Sequence, residues 1–275
     1  MYPNCLEDLV TYMEKHPEKD FVFGDVEYID ENNKSLKNSY FKSRFGFSTT
    51  NTEIDCIKNF FLGLSFLPYI GSFAKREIFK NIEINKSFIM LLDMSIWLSL
   101  LINGYKIGYL NKYIGGYRIH EFQMCNSKSA KTIYQRSSFE SFKFFELFYQ
   151  IKDIELLKKI FNNNKFLINT KNITTKDIKF IIAFEMLIHN IHPLRMQGYS
   201  YICNLLNNDI EANYLKEKFN FGIKEFRQIY SRGTNSLLAS VKNLSLRQIF
   251  YLLIKKILLK ISLKEFFDKK KKNIL

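Results

Sequence analysis

Between Lys86 and Lys106 the chain runs for nineteen residues, "SFIMLLDMSIWLSLLINGY", without a lysine or an arginine. In a sequence with 41 basic residues, a gap of this length marks a segment that the rest of the protein surrounds. The length suggests a membrane span, which needs about 20 apolar residues. The content argues against it, because Asp93, Ser95, Ser99, Asn103 and Gly104 interrupt the run, and a central Asp costs roughly 2.5–3.5 kcal/mol on insertion. The pattern predicts a buried helix over Ser87–Asn103, closed by Gly104 as the residue that tolerates a left-handed cap. The shorter run Asn59–Ala74 is broken by Pro68 and two glycines, and no transmembrane segment is expected.

The remaining composition narrows the class. Hydrophobic residues make up 47% and aromatics 16% of 275 residues, enough for a large core and too much for a disordered chain. The net charge of +14 favours an anionic partner, either a membrane surface, a phosphorylated substrate or nucleic acid. A lysine-rich solvated surface accounts for it equally. Cys5, Cys56, Cys125 and Cys203 are scattered with no C-x-x-C pair, which points to reduced thiols and not to a disulfide framework. "MYPNCLEDLV" has neither a basic nor an apolar leader region, so a cytoplasmic setting is expected.

Two regions and a tail follow from periodicity. Residues 1–126 alternate helical and extended pieces, the signature of an α/β arrangement. Pro3–His16 has Leu6, Leu9, Val10 and Met13 on one face, and "DFVFGDVEYIDENNKSL" reads as extended chain closed by a turn. "LPYIGSFAKREIF" reads as an extended segment entering a short helix, "YKIGYL" as a short strand and "IGGYRIHE" as a Gly-hinged extended segment. From 127 to 243 helical periodicity takes over. Residues 244–275 form a basic amphipathic helix and a lysine-rich end, with Leu246, Ile249, Phe250, Leu253, Ile254, Ile257, Leu258 and Ile261 as the apolar stripe. Such a helix suits an anionic membrane surface through residues 244–272, or docks on the protein's own core. No RNA- or DNA-binding pattern and no Gly-rich phosphate loop is present, so no specific nucleic acid is expected. His189 and His192 in "HNIH" lack a third ligand nearby, which disfavours a metal site there.

A lone carboxylate on an apolar helix is costly unless it is hydrogen-bonded or lines a pocket. Asp93 is therefore either a cap for backbone donors or a general base within reach of a substrate hydroxyl. Arg118 and His120 alternate with Tyr117 and Ile119, so in an extended segment both point to one face. They form either an anion-facing pair or a stabilised sheet edge.

The stretch "LDMSIWLSLLINGYKIGYLNKYIGGYRIHE" resembles the later part of family 2 glycosyltransferases of the GT-A fold. There, Glu-Asp-x-Asp-Leu-Trp is followed by Gly-Tyr-Lys-Ile and Tyr-Arg-x-His-Glu. "PNCLEDLVTYMEKHPEKDFVFGDVEYIDENNKSL" resembles the helix, strand and turn after that family's Asp-x-Asp motif, and "IGSFAKREIF" resembles its Gly-Ser segment. The resemblance spans roughly residues 2–127. It implies an α/β fold: a partial GT-A, Rossmann-like domain over 1–126 followed by an α-helical C-terminal region. It also implies inverting transfer of a sugar from a nucleotide sugar to a glycan or lipid-linked acceptor, with Asp93 as catalytic base. Gly71, Ser72 and Trp97 would stand on the acceptor side, although Trp97 reads first as a core anchor that ties its helix to the sheet. Arg118 and His120 would face the donor diphosphate, with His120 near a divalent metal, Mg²⁺ or Mn²⁺.

Two positions depart from the pattern, Leu92 where the family has Glu and Ser95 where a second Asp is common. The family's nucleotide-binding half and its Asp-x-Asp have no counterpart here, so the expectation is a donor and metal site that is incomplete without such a half. The expected setting is peripheral, at the inner face of a membrane, in the synthesis of a surface polysaccharide. The reading from a different class is a non-catalytic interaction module with a membrane-binding helix.

Overall fold

The computed structural model describes residues 1–36, 52–64, 67, 69–119 and 130–229, with 130–136 described as helix backbone only. The fold is mixed α/β, a small three-stranded sheet followed by a run of helices. Contacts divide the chain into one unit over Met1–Asn220 and a second from Phe221 onward. Of the second unit, residues 221–229 are described; 223–229 are helical, and the Glu225 carboxylate accepts from the Gly222 N–H. The expected amphipathic helix of 244–275 lies outside the described residues.

Helix α1 (Cys5–Lys15) starts at Asn4, whose left-handed φ of 65° suits an asparagine, and stops before Pro17. Strand β1 (Phe21–Ile29) follows as the centre of the sheet. Its residues Phe21, Val22 and Phe23 are all buried because helices cover both faces. On one face Val22 packs with Ile114 and with Cys5, Leu9 and Met13 of α1. Phe21 and Phe23 point to the other face. The turn after β1 places Asn33 at φ 64° and returns the chain to an isolated bridge between Ile29 and Ser35.

Helix α2 (Glu53–Phe61) opens with a capping box, in which Thr52 Oγ1 accepts from the Asp55 N–H at 3.2 Å and Asp55 accepts from the Thr52 N–H at 2.9 Å. The edge strand β2 (Ser72–Ala74) pairs antiparallel with β1, and a 3₁₀ turn over Arg76–Lys80 follows. Helix α3 (Leu92–Ile102) returns the chain to β3 (Ile107–Arg118), which runs parallel to β1 along the whole of that strand. The two extended segments expected from "YKIGYL" and "IGGYR" are thus one strand, with register shifts at Gly24–Val26 where β1 and β3 fall out of step.

Helix α3 is buried nearly all round, with Met94, Trp97, Leu98, Leu100, Leu101 and Ile102 in the core. That burial explains the absence of basic residues over Leu92–Ile102, the helical part of the run. Its end is as expected: Gly104 takes φ +85°, and the Asn103 side chain donates to the Ser99 carbonyl at 2.8 Å. Its start is later than the pattern predicts, since residues 87–91 form a turn and not helix.

Seven further elements follow among the described residues of the first unit. They are α4 (Ala130–Phe145), a 3₁₀ turn over Glu146–Gln150, α5 (Ile154–Ile160), α6 (Lys165–Asn169), α7 (Thr175–Ile188), α8 (His192–Leu206) and α9 (Asp209–Phe219). Their core is aromatic: Phe61 of α2 meets Phe148 and Phe161 edge-on, and Phe166 meets Phe180, Phe184 and Phe219. Composition changes at 127, but packing continues across it, because Phe60 of α2 and Phe144 of α4 share one edge-to-face contact.

Candidate functional site

Asp93 is the second residue of α3. Its side chain is half-buried, and Oδ1 accepts from the Met94 N–H at 2.8 Å. Burial raises its pKa above the ordinary carboxylate value, and hydrogen bonds from the Met94 and Asp93 backbone oppose that rise only in part. Among the described residues no cation and no side-chain donor meets it. A carboxylate kept poor in partners in this way is more basic than a surface one.

Trp97 fixes where that carboxylate lies. Its indole stacks on Phe21 with ring centroids 5.2 Å apart and planes 8° from parallel, and it is 4% exposed. That contact ties α3 to the start of β1. Four residues of helix rise carry the chain about 6 Å back from Trp97 to Asp93. Because α3 leads into β3 through a tight turn, this direction runs toward the C-terminal ends of β1 and β3, the side on which open α/β sheets bind ligands. Trp97 Nε1 has no hydrogen-bond partner among the described residues.

Gly71 and Ser72 stand beside Phe23 and Gly24 of β1, for Ser72 pairs with Phe23 and the Gly24 N–H donates to the Gly71 carbonyl at 3.4 Å. The demand on Gly71 is steric. It takes φ +76°, and a Cβ there would fall 2.2 Å from Ile114 Cδ1. The Ser72 hydroxyl donates to the Tyr69 carbonyl at 2.9 Å and closes that turn.

Arg118 ends β3 with its guanidinium turned onto the loop after β1. Nη1 donates to the carbonyls of Asp30 and Glu31, each at 2.9 Å, and Nη2 donates to Asn33 Oδ1 at 2.6 Å. This fork holds the turn against the strand end. His120 lies outside the described residues.

Several groups near this end of the sheet gave no signal in the sequence. Phe23 and Tyr109 meet ring to ring at 5.3 Å, and Tyr109 shares a hydrogen bond with Asp25; burial and then Asp25 raise the Tyr109 pKa. Glu27 accepts from Ser35 Oγ and from the Tyr2 hydroxyl, which hold its carboxyl below the ordinary range, while Tyr2 is pushed up to about 12. Among the described residues no three His, Cys, Asp or Glu side chains converge as a metal site would require. His189 is taken up by the core, its ring edge-on to Phe61 and its Nδ1 accepting from the Ile191 N–H.

A cleft of about 1550 Å³ opens at the opposite end of α3, lined by Ser99, Asn103, Tyr149, Lys176, Tyr201 and Tyr214 among others. Of the site residues expected from the sequence, Gly71, Ser72, Asp93, Trp97 and Arg118 do not line it. The cleft draws attention to one end of α3 and the chemistry to the other, and the chemistry is the stronger guide because Asp93, its pKa raised by burial, stands in the first turn of that helix.

The chain is 26% identical over 117 residues to an uncharacterized glycosyltransferase of Methanocaldococcus jannaschii. The match covers 42% of this chain and 38% of that protein. No family model matches the chain. No solved structure matches it. The similarity supports a glycosyltransferase-like relationship.

Proposed function

We propose that this chain takes part in glycosyl transfer from a nucleotide sugar to a hydroxyl of a glycan or lipid-linked acceptor, with inversion at the sugar carbon and Asp93 as base. The observation that carries this reading is the half-buried Asp93 in the first turn of α3, its pKa raised by burial and no cation beside it among the described residues. The similarity to a glycosyltransferase supplies the reaction class.

In this mechanism an Asp93 oxygen accepts the proton of the acceptor hydroxyl as that oxygen attacks the anomeric carbon. The new C–O bond forms as the bond to the nucleoside diphosphate breaks, and the electron pair leaves with the diphosphate. Attack from the face opposite the leaving group inverts the configuration. Gly71 and Ser72 shape the backbone beside the acceptor, and Trp97 anchors the helix that carries the base. Arg118 serves the donor side by fixing the turn of Asp30–Asn33, and His120 follows it two residues on. A divalent metal, where one is held, would neutralise the leaving diphosphate. The described residues do not form its site.

The test is release of nucleoside diphosphate from a panel of nucleoside-diphosphate sugars in the presence of glycan and polyprenyl-phosphate acceptors. The Asp93→Asn protein is expected to lose about 100-fold or more in turnover, the usual scale of a general base. Retained turnover in that variant removes Asp93 from the mechanism. No release from any donor by the unaltered chain favours the interaction-module reading.

A further inference from the structure

The N-terminus of α3 lacks the cap that its sequence position should supply. Its N-cap residue is Leu91, which makes no side-chain cap hydrogen bond, and a helix start leaves several N–H groups in need of acceptors. What is held instead is the segment leading into the helix, and its acceptor comes from far along the chain. Glu140 Oε2 accepts from the N–H groups of Ile89, Met90 and Leu91 at 3.1, 2.8 and 3.0 Å. Three successive amides on one oxygen make a nest, the backbone arrangement that holds anions. Glu140 itself stands on a fixed base: one turn later on α4, Phe144 is 1% exposed and packs edge-to-face on Phe60 of α2. Two residues beyond the nest is Asp93.

We propose that Glu140 is the positioning residue of Asp93: its carboxylate holds segment 89–91 and so sets the direction in which the first turn of α3 presents the Asp93 carboxylate. The catalytic consequence rests on the base role proposed above; the contact does not.

The experiment uses the full chain and reads backbone amide hydrogen exchange together with the ¹³C shift of the Asp93 carboxyl. Glu140→Ala is expected to raise exchange at Ile89–Leu91 and in the first turn of α3 by about tenfold or more, the scale of losing charge-assisted hydrogen bonds. Exchange in α7 should stay unchanged and the Asp93 resonance should move. Glu140→Gln, which keeps an acceptor oxygen, should recover part of the protection, and it carries the test if the alanine variant does not fold. Unchanged protection at 89–91, or a rise spread evenly over the protein, overturns the proposal.

In transfer assays Glu140→Ala should lower kcat at constant donor KM, and it should cause no further loss on an Asp93→Asn background. Turnover that survives Asp93→Asn sinks the base and leaves the exchange result to judge Glu140. An additive loss in the double variant overturns action through Asp93.

Discussion

Asp93 and Asp177 both stand in the first turn of a helix whose body is buried, and the protein treats them in opposite ways. Asp177, third in α7, has a fully buried side chain and is surrounded by donors. The Thr174 N–H and hydroxyl each reach Oδ2 at 2.7 Å, Lys218 Nζ reaches Oδ2 at 2.6 Å, and the Tyr214 hydroxyl reaches Oδ1 at 2.7 Å. Burial alone would raise its pKa, but the bonds from Lys218, Thr174 and Tyr214 prevail and lower it. Asp93 has backbone donors only, and burial prevails. Position on a helix does not separate the two. The difference lies in the neighbours, and it separates a carboxylate that joins α7 to α9 from one that burial leaves basic.

The largest expected effect comes from making Asp177 resemble Asp93. Lys218→Met removes the cation but keeps the length of the side chain, leaving a buried carboxylate without its charge partner. Such a loss costs about 3–5 kcal/mol, roughly 10 °C in Tm for a domain of this size, measured by thermal or urea unfolding. The pH profile should invert as well. In the unaltered protein the Asp177 pKa lies below its unfolded value, so its stabilisation is complete above the unfolded value and is lost as pH falls through the folded one. With Lys218 gone, desolvation dominates and acidification should stabilise. An unchanged Tm would show that Lys218 is solvated in solution and that the contrast with Asp93 is false.

A smaller effect tests the helix-terminal part of the same network. Thr174→Val deletes one hydroxyl donor to Asp177 and keeps the backbone N–H. The expected cost is about 1–2 kcal/mol, the range for a hydrogen bond to a charged group, read from the urea midpoint at constant m-value. A cost as large as that of Lys218→Met would place the weight of the network in the cap and not in the cation.

The sequence announced the buried helix and its Gly104 end because both depend on local chemistry: an apolar run and a residue that accepts positive φ. The strands around Phe21–Ile29 and Ile107–Arg118 were legible for the same reason, through β-branched and aromatic residues bounded by turns. What stayed hidden was set by partners distant in sequence. The predicted helix over Ser87–Asn103 loses its first five residues because the amides of Ser87 and Phe88 turn to Asn85 and those of Ile89–Leu91 are drawn into a nest by Glu140, some fifty positions on. Arg118 invited a role at an anion, and in the fold its N–H groups meet carbonyls of a turn almost ninety residues earlier. Tyr109 and Asp25 left no mark at all, since neither belongs to a motif and only strand register joins them.

The smallest predicted effect on stability is the most telling about function. A group whose folded pKa is raised destabilises the folded state while it is ionised, and stability returns as pH falls through the folded value toward the ordinary 3.8. Asp93→Asn keeps the shape and an acceptor oxygen for the Met94 N–H while removing the charge. Its stability near neutral pH should therefore match or exceed that of the unaltered protein, by no more than about 1 kcal/mol. The gain on mild acidification should disappear from its profile, and the acid loss due to Asp177 should remain. Urea unfolding across that pH range checks both. A structural aspartate would give the reverse result, with a loss at neutral pH of the kind expected from the Asp177 network. A residue whose removal leaves the fold as stable or more so, yet stops transfer, is one that the fold carries at a cost for its chemistry.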